Sequence, residues 1–296
     1  MSDTLLVTGA SGHLGRLVID QLLNVQKVPA SQIIVTTRKP ETVVDLAALG
    51  VQVRAADFDD LTSLSTAFAG ATRLLLISTD AVDRPGRRLT QHLNAVKAAV
   101  SAGVKHVLYT SMVKPDAGSP ILFAPDHLGT EQALAASGLG YTILRHSWYQ
   151  ENLLMSLPQT LASGQWYTSA GDGRQAHVAR ADCAAVDAAL LAHGPAGNLT
   201  YNVTGAQAYT TAEIAQIATE VLGKPIQVIP LTDEQLTQGL TAAGVPAPIV
   251  PFIVCFDANT RLGNVDVVTD AVQSLAGRAP RTLRQFFIDN KAVLAA

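Results

Sequence analysis

Three glycines fall within seven residues in Thr8-Gly9-Ala10-Ser11-Gly12-His13-Leu14-Gly15, spaced G-x-x-G-x-x-G between a short apolar run and an amphipathic one. A strand that turns sharply into a helix while presenting its backbone to a pyrophosphate needs positions without a Cβ. The helix that follows adds unpaired N–H groups and a positive dipole end. Gly9, Ser11, Gly12, His13 and Leu14 are therefore expected to wrap a pyrophosphate, with Gly15 letting the helix pack closely. A competing reading makes the glycines only a tight turn. The residues after the second apolar run, Val35-Thr36-Thr37, bear on which dinucleotide is meant. An NAD site usually carries an acid there for the ribose 2′-OH, about 20 residues past the glycines. None stands at Thr36, Thr37 or Arg38; Arg38 lies 23 positions after Gly15, and Lys39 follows it. A guanidinium suits a bidentate grip on a 2′-phosphate, which favours NADPH over NADH. Otherwise Arg38 and Lys39 form a solvated loop.

Further candidates lie at the ends of later apolar runs. Asp57 could accept from an adenine amino group with Phe58 beside the ring, or could be a helix N-cap or loop carboxylate. Ile77, Ser78, Thr79, Thr110, Ser111 and Met112 sit where a parallel sheet presents its carboxyl ends to a ligand, and are expected around the nicotinamide. Trp148 and Tyr149 could stack on a planar substrate and Asn152 could bond a carbonyl, or the aromatics could pack an interdomain core. Phe252 and Phe256 flank a proline-rich apolar run and are expected as a flexible wall, or as a partner contact. Asp182 is expected as a helix N-cap. Cys183 and Cys255 are expected to be buried and inert. No His, Cys or Asp cluster has metal-ligand spacing, so no metal is expected, and no Gly-x-Ser-x-Gly elbow occurs.

The elements that must hold these residues alternate through the first half. Apolar runs at Thr4–Thr8, Ile33–Thr37, Val51–Ala55, Arg73–Ser78, Lys105–Thr110 and Tyr141–Arg145 read as strands. Between them, His13–Asn24, Glu41–Leu49, Leu61–Phe68, Leu89–Ala102 and Asp126–Ser137 read as helices, several ended by glycine. Strands apolar throughout and joined by single helices form βαβ units. The expected class is α/β: a Rossmann-like doubly wound parallel sheet with a smaller, interleaved C-terminal α/β domain. The expected division is 1–150 for the nucleotide domain and 151–296 for the substrate domain, with an αβ unit near 181–204 rejoining the main sheet. Later elements read as helices at Glu151–Ala162, Thr211–Leu222 and Asp233–Ala243, and a strand at Ile226–Ile229.

Composition bounds the rest. The chain has 296 residues, 48% hydrophobic and 15% charged, which fits a core-rich globular protein. A net charge of −3 argues against a nucleic-acid partner. The longest apolar run, Ile249–Phe256, is far short of the roughly 20 residues of a membrane span. Two cysteines and no visible signal peptide point to the cytoplasm.

The glycine turn and Arg38 together with Ala102-Gly103-Val104-Lys105-His106 and Tyr141-Thr142-Ile143-Leu144-Arg145 resemble the NmrA-like branch of the atypical short-chain dehydrogenases. Within it, the resemblance is to bacterial type 2 NADPH:quinone oxidoreductases and triphenylmethane reductases. Val28-Pro29-Ala30-Ser31-Gln32-Ile33, Leu74-Leu75-Leu76-Ile77-Ser78, Asp126-His127-Leu128-Gly129-Thr130-Glu131, Trp148-Tyr149-Gln150-Glu151-Asn152, Ala170-Gly171-Asp172-Gly173 and Tyr201-Asn202-Val203 extend it to about residue 235. The resemblance implies a nucleotide domain, a small C-terminal domain, a substrate cleft between them, and NADPH-dependent reduction of quinones or similar electrophilic aromatics. It implies a quinone-like small-molecule partner; a monomer or homodimer is expected.

Ordinary short-chain dehydrogenases protonate their product with a Tyr-x-x-x-Lys pair, the lysine also binding the ribose. Phe123 stands in the tyrosine's place here and His127 in the lysine's. Phe123 cannot donate a proton, which suits an acceptor that needs positioning more than acid catalysis. His127 could bond the nicotinamide ribose or assist proton transfer, or could be a surface histidine of the first helical turn. Lys114 is a weaker alternative donor. Two other functions remain open at this point, a carbonyl reductase with a substituted donor and a non-catalytic NADP(H) sensor.

Overall fold

In this computed structural model residues 3–294 are described. In chain order the first elements are β1 (Leu5–Val7), α1 (His13–Asp20), β2 (Ile33–Thr37), α2 (Val44–Ala48), β3 (Gln52–Ala55), α3 (Leu61–Phe68), β4 (Arg73–Leu76), α4 (Arg87–Ser101), β5 (His106–Met112), α5 (Ala124–Ala136) and β6 (Gly140–His146). There follow α6 (Leu153–Ser163), β7 (Gln165–Thr168), β8 (Arg174–Gln175), α7 (Arg180–His193), β9 (Leu199–Val203), β10 (Tyr209–Thr210), α8 (Thr211–Leu222) and β11 (Gln227–Pro230). The last elements among the described residues are α9 (Asp233–Ala242), α10 (Val250–Arg261), α11 (Ala271–Ala276), α12 (Leu283–Asp289) and α13 (Lys291–Leu294).

Seven strands form one sheet in the order β3-β2-β1-β4-β5-β6-β9. β1 pairs in parallel with β2 and β4, β2 with β3, and β4 with β5. β1 and β2 are buried along their whole length, because helices cover both faces of a parallel sheet and leave no polar side. One core is built by Leu6, Ile34, Leu74 and Val107 of the strands with Leu64 and Phe68 of α3 and Ala95 and Ala99 of α4. Strand order reverses at β1/β4, and the crevice at such a switch point opens at the carboxyl ends of the strands.

The chain divides into two compact units, each made of three stretches. The first comprises Met1–Met112, Pro125–Arg145 and Ala181–Tyr201; the second comprises Val113–Ala124, His146–Arg180 and Asn202–Ala296. The second has its own core, in which Leu153, Leu157 and Leu161 of α6 meet Ile214 and Ala218 of α8 and Phe286 and Phe287 of α12.

Several elements differ from the sequence expectation. α1 stops at Asp20 and passes into a π-helical turn, Gln21–Val25. Pro40–Val43 is a 3-10 turn ahead of a shortened α2. β4 ends at Leu76 because the next two N–H groups leave the ladder: Ile77 donates to Thr8 Oγ1 and Ser78 to Thr110 Oγ1. Phe252 and Phe256 do not lie in a flexible run. Pro251 falls at the start of α10, where a missing N–H costs nothing, and the two rings are carried on helix. Asp182 lies inside the first turn of α7 and not at its N-cap position; the Arg180 N–H is taken by the Glu151 carboxylate, at 3.0 Å to Oε2.

Candidate active site

The turn between β1 and α1 is held by its own backbone. Gly12 N–H donates to Gly9 O at 2.9 Å, and Ala10 N–H donates to Thr36 O at 3.0 Å, which ties the turn to β2. Gly9 has φ +64, a conformation other residues enter only with strain. A Cβ on Gly15 would meet Gly9 O at 2.3 Å and Gly9 C at 2.9 Å, so only glycine lets the helix approach this close. Gly12 has no side chain to cap α1, and no acid stands in its first turn. The N–H groups of His13, Leu14 and Gly15 precede the first intrahelical bond, from Arg16 N–H to Gly12 O. They make a positive cradle for an anion. Ser11, Gly12 and His13 are exposed there, whereas the Leu14 side chain is buried in the core and can offer only its N–H.

The end of β2 lies against this cradle. Ser11 Oγ and Thr37 Oγ1 are 3.1 Å apart, and Arg38 follows as an exposed residue one position on. No carboxylate occupies the strand end. These residues fit a dinucleotide with a 2′-phosphate: bare helix terminus for the pyrophosphate, guanidinium for the added charge. Asp57 is exposed and Oδ1 accepts from Asp59 N–H at 3.0 Å, so it shapes the loop, while Asp60 caps α3. Phe58 packs against the core beneath.

At the ends of β4 and β5 the expected hydroxyls are already engaged. Thr110 Oγ1 accepts from Ser78 N–H at 2.9 Å. Ser111 Oγ donates to Glu131 Oε1 at 2.6 Å, and Glu131 is held by Arg145 through two bonds, 3.0 and 2.6 Å. Ser111 thus supports a partly buried ion pair. Ile77 lies beside the glycine turn, its Cβ 3.8 Å from where a Gly9 Cβ would stand.

His127 is not a surface histidine. It is 4% exposed and lies among polar groups that the sequence reading missed. Arg88 Nη2 approaches His127 Nε2 at 3.0 Å, and Tyr109 Oη lies 2.9 Å from Nδ1. Arg88 Nε donates to Thr79 O at 2.6 Å. His92, one turn along α4, accepts from Thr79 N–H through Nε2 at 3.0 Å and meets Thr130 Oγ1 through Nδ1 at 2.9 Å. Burial pushes His92 down to about 3 and raises the Tyr109 hydroxyl. A signal was present: Arg88, Gln91, His92, Ala95 and Ala99 recur at helical spacing, and polar residues in that stripe are buried with it.

The second unit gathers aromatic rings. Phe123 stacks on Phe252 with centroids 6.5 Å apart and meets Phe256 edge-on at 6.2 Å; Trp148 lies 4.1 Å from Phe256. All four are half-buried. Cys255, between the two α10 rings, is buried, which raises its thiol. Tyr149 is pinned by a 3.0 Å bond between its hydroxyl and His146 Nδ1 and by Arg180 over its ring. Asn152 ends a 3-10 turn, Gln150–Asn152, ahead of α6. Lys114 is exposed at φ +47. Met112 is half-buried at the end of β5.

Among the described residues no three His, Cys, Asp or Glu side chains gather to hold a metal, and no helix is long and apolar enough to cross a membrane. The NmrA-like family model matches residues 1–287, well past the point near 235 where the recognised motifs end. Quinone oxidoreductase 2 of Escherichia coli (strain K12) is 37% identical over 279 residues, covering 94% of this chain and 96% of that protein. The crystal structure of the E. coli NADPH-dependent quinone oxidoreductase complexed with NADPH superposes with a TM-score of 0.90, at 36% identity over 97% of this chain and 99% of that one. That of the Citrobacter sp. triphenylmethane reductase complexed with NADP(H) gives 0.89, at 37% identity and the same coverage. The chain belongs to the NmrA-like family.

Proposed function

We propose that this protein is an NADPH-dependent oxidoreductase that reduces a quinone or a similarly electron-poor aromatic. Bound NADPH supplies a hydride from its nicotinamide. The N–H groups at the start of α1 bind the pyrophosphate, with Gly9 and Gly12 giving the backbone clear approach and Arg38 gripping the 2′-phosphate. Asp57 would face the adenine, and Ile77, Ser78 and Thr110 would border the nicotinamide. Phe123, Trp148, Tyr149, Asn152 and Met112 receive the acceptor.

One observation carries the acceptor class. Where a proton donor would be needed for a ketone, Phe123 is packed with Phe252 and Phe256 into an aromatic wall. Losing an oxyanion donor costs a ketone reductase about 10²–10³ in rate. A quinone needs no such donor, because the hydroquinone anion it becomes is aromatic and weakly basic and can be protonated by solvent. His127, with both ring nitrogens engaged inside the fold, positions its neighbours and does not donate to substrate. The protein works in the cytoplasm as a monomer or homodimer on small molecules, without nucleic-acid or membrane partners.

The test mixes protein, NADPH and 1,4-benzoquinone and follows loss of absorbance at the nicotinamide band, with a cyclic aliphatic ketone alongside. Quinone turnover far above ketone turnover is expected. Reduction of the ketone alone would reverse the acceptor assignment, and NADP binding without turnover on any electrophile would make the protein a sensor.

A further inference from the structure

The Arg88 cluster lies wholly in the first unit and surrounds the expected His127 with side chains that the sequence did not single out. Arginine carries only donors, so His127 Nε2 must accept from Arg88 Nη2 at 3.0 Å. A neutral ring then bears its proton on Nδ1 and donates it to Tyr109 Oη at 2.9 Å. Tyr109 Oη also lies 3.3 Å from His92 Nδ1, which meets Thr130 Oγ1 at 2.9 Å, and Thr130 donates to Asp126 O at 2.6 Å. A cationic His127 would turn an Nε2–H against the guanidinium, two donors and two positive charges face to face at 4% exposure. The same arginine reaches Thr79 O, while His92 takes the Thr79 N–H. One residue after β4 is thus clamped from both sides by successive turns of α4, two residues from the Ile77 side chain beside the glycine turn.

We propose that Arg88 is a positioning residue of the nicotinamide end: it bridges the Thr79 carbonyl and His127 Nε2, locks His127 as the neutral Nδ1–H tautomer, and itself remains the fixed cation beside the position that carries lysine in ordinary short-chain dehydrogenases. The placement at the nicotinamide end rests on the function proposed above; the lock itself does not. The titratable and charged groups linked to Arg88 and Tyr109, the side chains that bond His127, are His92 from α4, Asp126 and Glu131 from α5, and Asp80 from the loop after β4. His92 cannot take up a proton in His127's stead near neutrality, since burial has pushed it to about 3.

Two experiments test this. The first is a long-range 1H–15N correlation spectrum of the histidine rings in the free protein from pH 5.5 to 8.5, with the His127 signals assigned by their loss in His127→Gln. An Nδ1–H pattern that does not titrate over this range is expected. An Nε2–H pattern, or an ordinary midpoint near 6.5, would overturn the proposal without any variant of Arg88. The second compares Arg88→Met and Arg88→Lys with wild type in benzoquinone reduction. Arg88→Met should lose about tenfold or more in kcat, with the KM for NADPH within about threefold, and its rate should gain a titration between pH 6 and 7 as His127 becomes protonatable. Arg88→Lys, keeping the charge but not the bridge, should recover part of kcat. A folded Arg88→Met protein with wild-type kcat and an unchanged pH profile would refute the positioning role. If wild type reduces no quinone, the function fails while the spectrum still decides the lock.

Discussion

The glycine turn allows a graded prediction from three alanine substitutions in one loop. A Cβ on Gly15 would stand 2.3 Å from the Gly9 carbonyl oxygen, more than an ångström inside ordinary contact, and the atom it meets is backbone. The first turn of α1 must lift away, and overpacking of this kind costs typically 1–3 kcal/mol, occasionally more. Alanine's helix propensity returns at most about 1 kcal/mol of that. On Gly9 the Cβ has room, with Ile77 at 3.8 Å, so Gly9→Ala costs only its φ of +64, about 1–2 kcal/mol. On Gly12 the nearest atom is Gly9 O at 3.3 Å and φ is −81, so a shift of a few tenths of an ångström suffices. The backbone clash puts Gly15→Ala at the upper end, a net loss of about 2 kcal/mol; at roughly 2 °C per kcal/mol for a chain of this size it is expected to lower Tm by about 4 °C, and Gly12→Ala by about a degree or less. Cofactor binding should follow a different order. Gly12→Ala puts a methyl group in the anion cradle and should weaken NADPH by more than its small Tm loss suggests, whereas Gly15→Ala should damage both together. Differential scanning fluorimetry with and without NADPH, and isothermal calorimetry, read the two quantities. A Gly15→Ala protein with wild-type Tm and NADPH affinity would refute the close approach of α1 to the Gly9 carbonyl, and with it the geometry of the cradle.

Arg38→Ala should raise the KM for NADPH about tenfold, the lower end for an exposed charged hydrogen bond, and leave the KM for NADH unchanged; steady-state kinetics with both coenzymes decide it. Phe123→Tyr should change quinone turnover by less than about threefold, because proton donation is not limiting, and a gain of tenfold or more would show that it is. Trp148→Ala should raise the KM for an aromatic acceptor by about 2–10-fold, the worth of one ring contact, with the KM for NADPH unmoved. Acid should destabilise the fold through buried neutral histidines. Burial holds His92 at about 3 and His106 and His177 at about 4, so below pH 6.5 the unfolded chain takes up protons that the native one refuses. Stability is then full above about pH 6.5 and falls toward pH 4, by up to about 1.4 kcal/mol per pH unit for each histidine. Urea midpoints at pH 7.5, 6.0 and 5.0 measure this, and equal midpoints would contradict it.

The parallel-sheet half was legible because its signals are local and redundant. Runs such as Ile33–Thr37 are apolar throughout, and glycines such as Gly50 and Gly103 end the intervening helices with positive φ. The glycine turn was legible for the same reason, since its spacing reports a steric need within one loop. Arg38 follows by simple adjacency to a strand end. What was missed is long-range. Arg88, His92 and Tyr109 come from a helix and a strand, and nothing short of the fold says that their polar atoms meet. Helices α11 to α13 lack strong periodicity, and the brief strands β8 and β10 have two residues each, too few to alternate. α10 was obscured by its prolines, which mark a break in most contexts and a helix start in this one.

Phe123 and His127 stand four residues apart, yet the boundary between the two units runs between Ala124 and Pro125. Phe123 therefore belongs with the rings of α10, and His127 with Arg88 and Tyr109. In the pair they replace, acid and cation act on one another, the lysine lowering the pKa of the tyrosine. Neither substitute can do this: a phenyl ring has no proton, and a histidine whose Nε2 accepts from a guanidinium has no charge to lend. The two replacements make sense together. Once the acid is gone, a cation that tunes it has no task, and the buried charge passes to an arginine that cannot titrate under any working condition. The acceptor must then be one whose reduction does not wait for a proton from the protein. That requirement ties the aromatic wall to the locked histidine, and it is why the pH profile of Arg88→Met reports on the choice of acceptor as well as on the cluster itself.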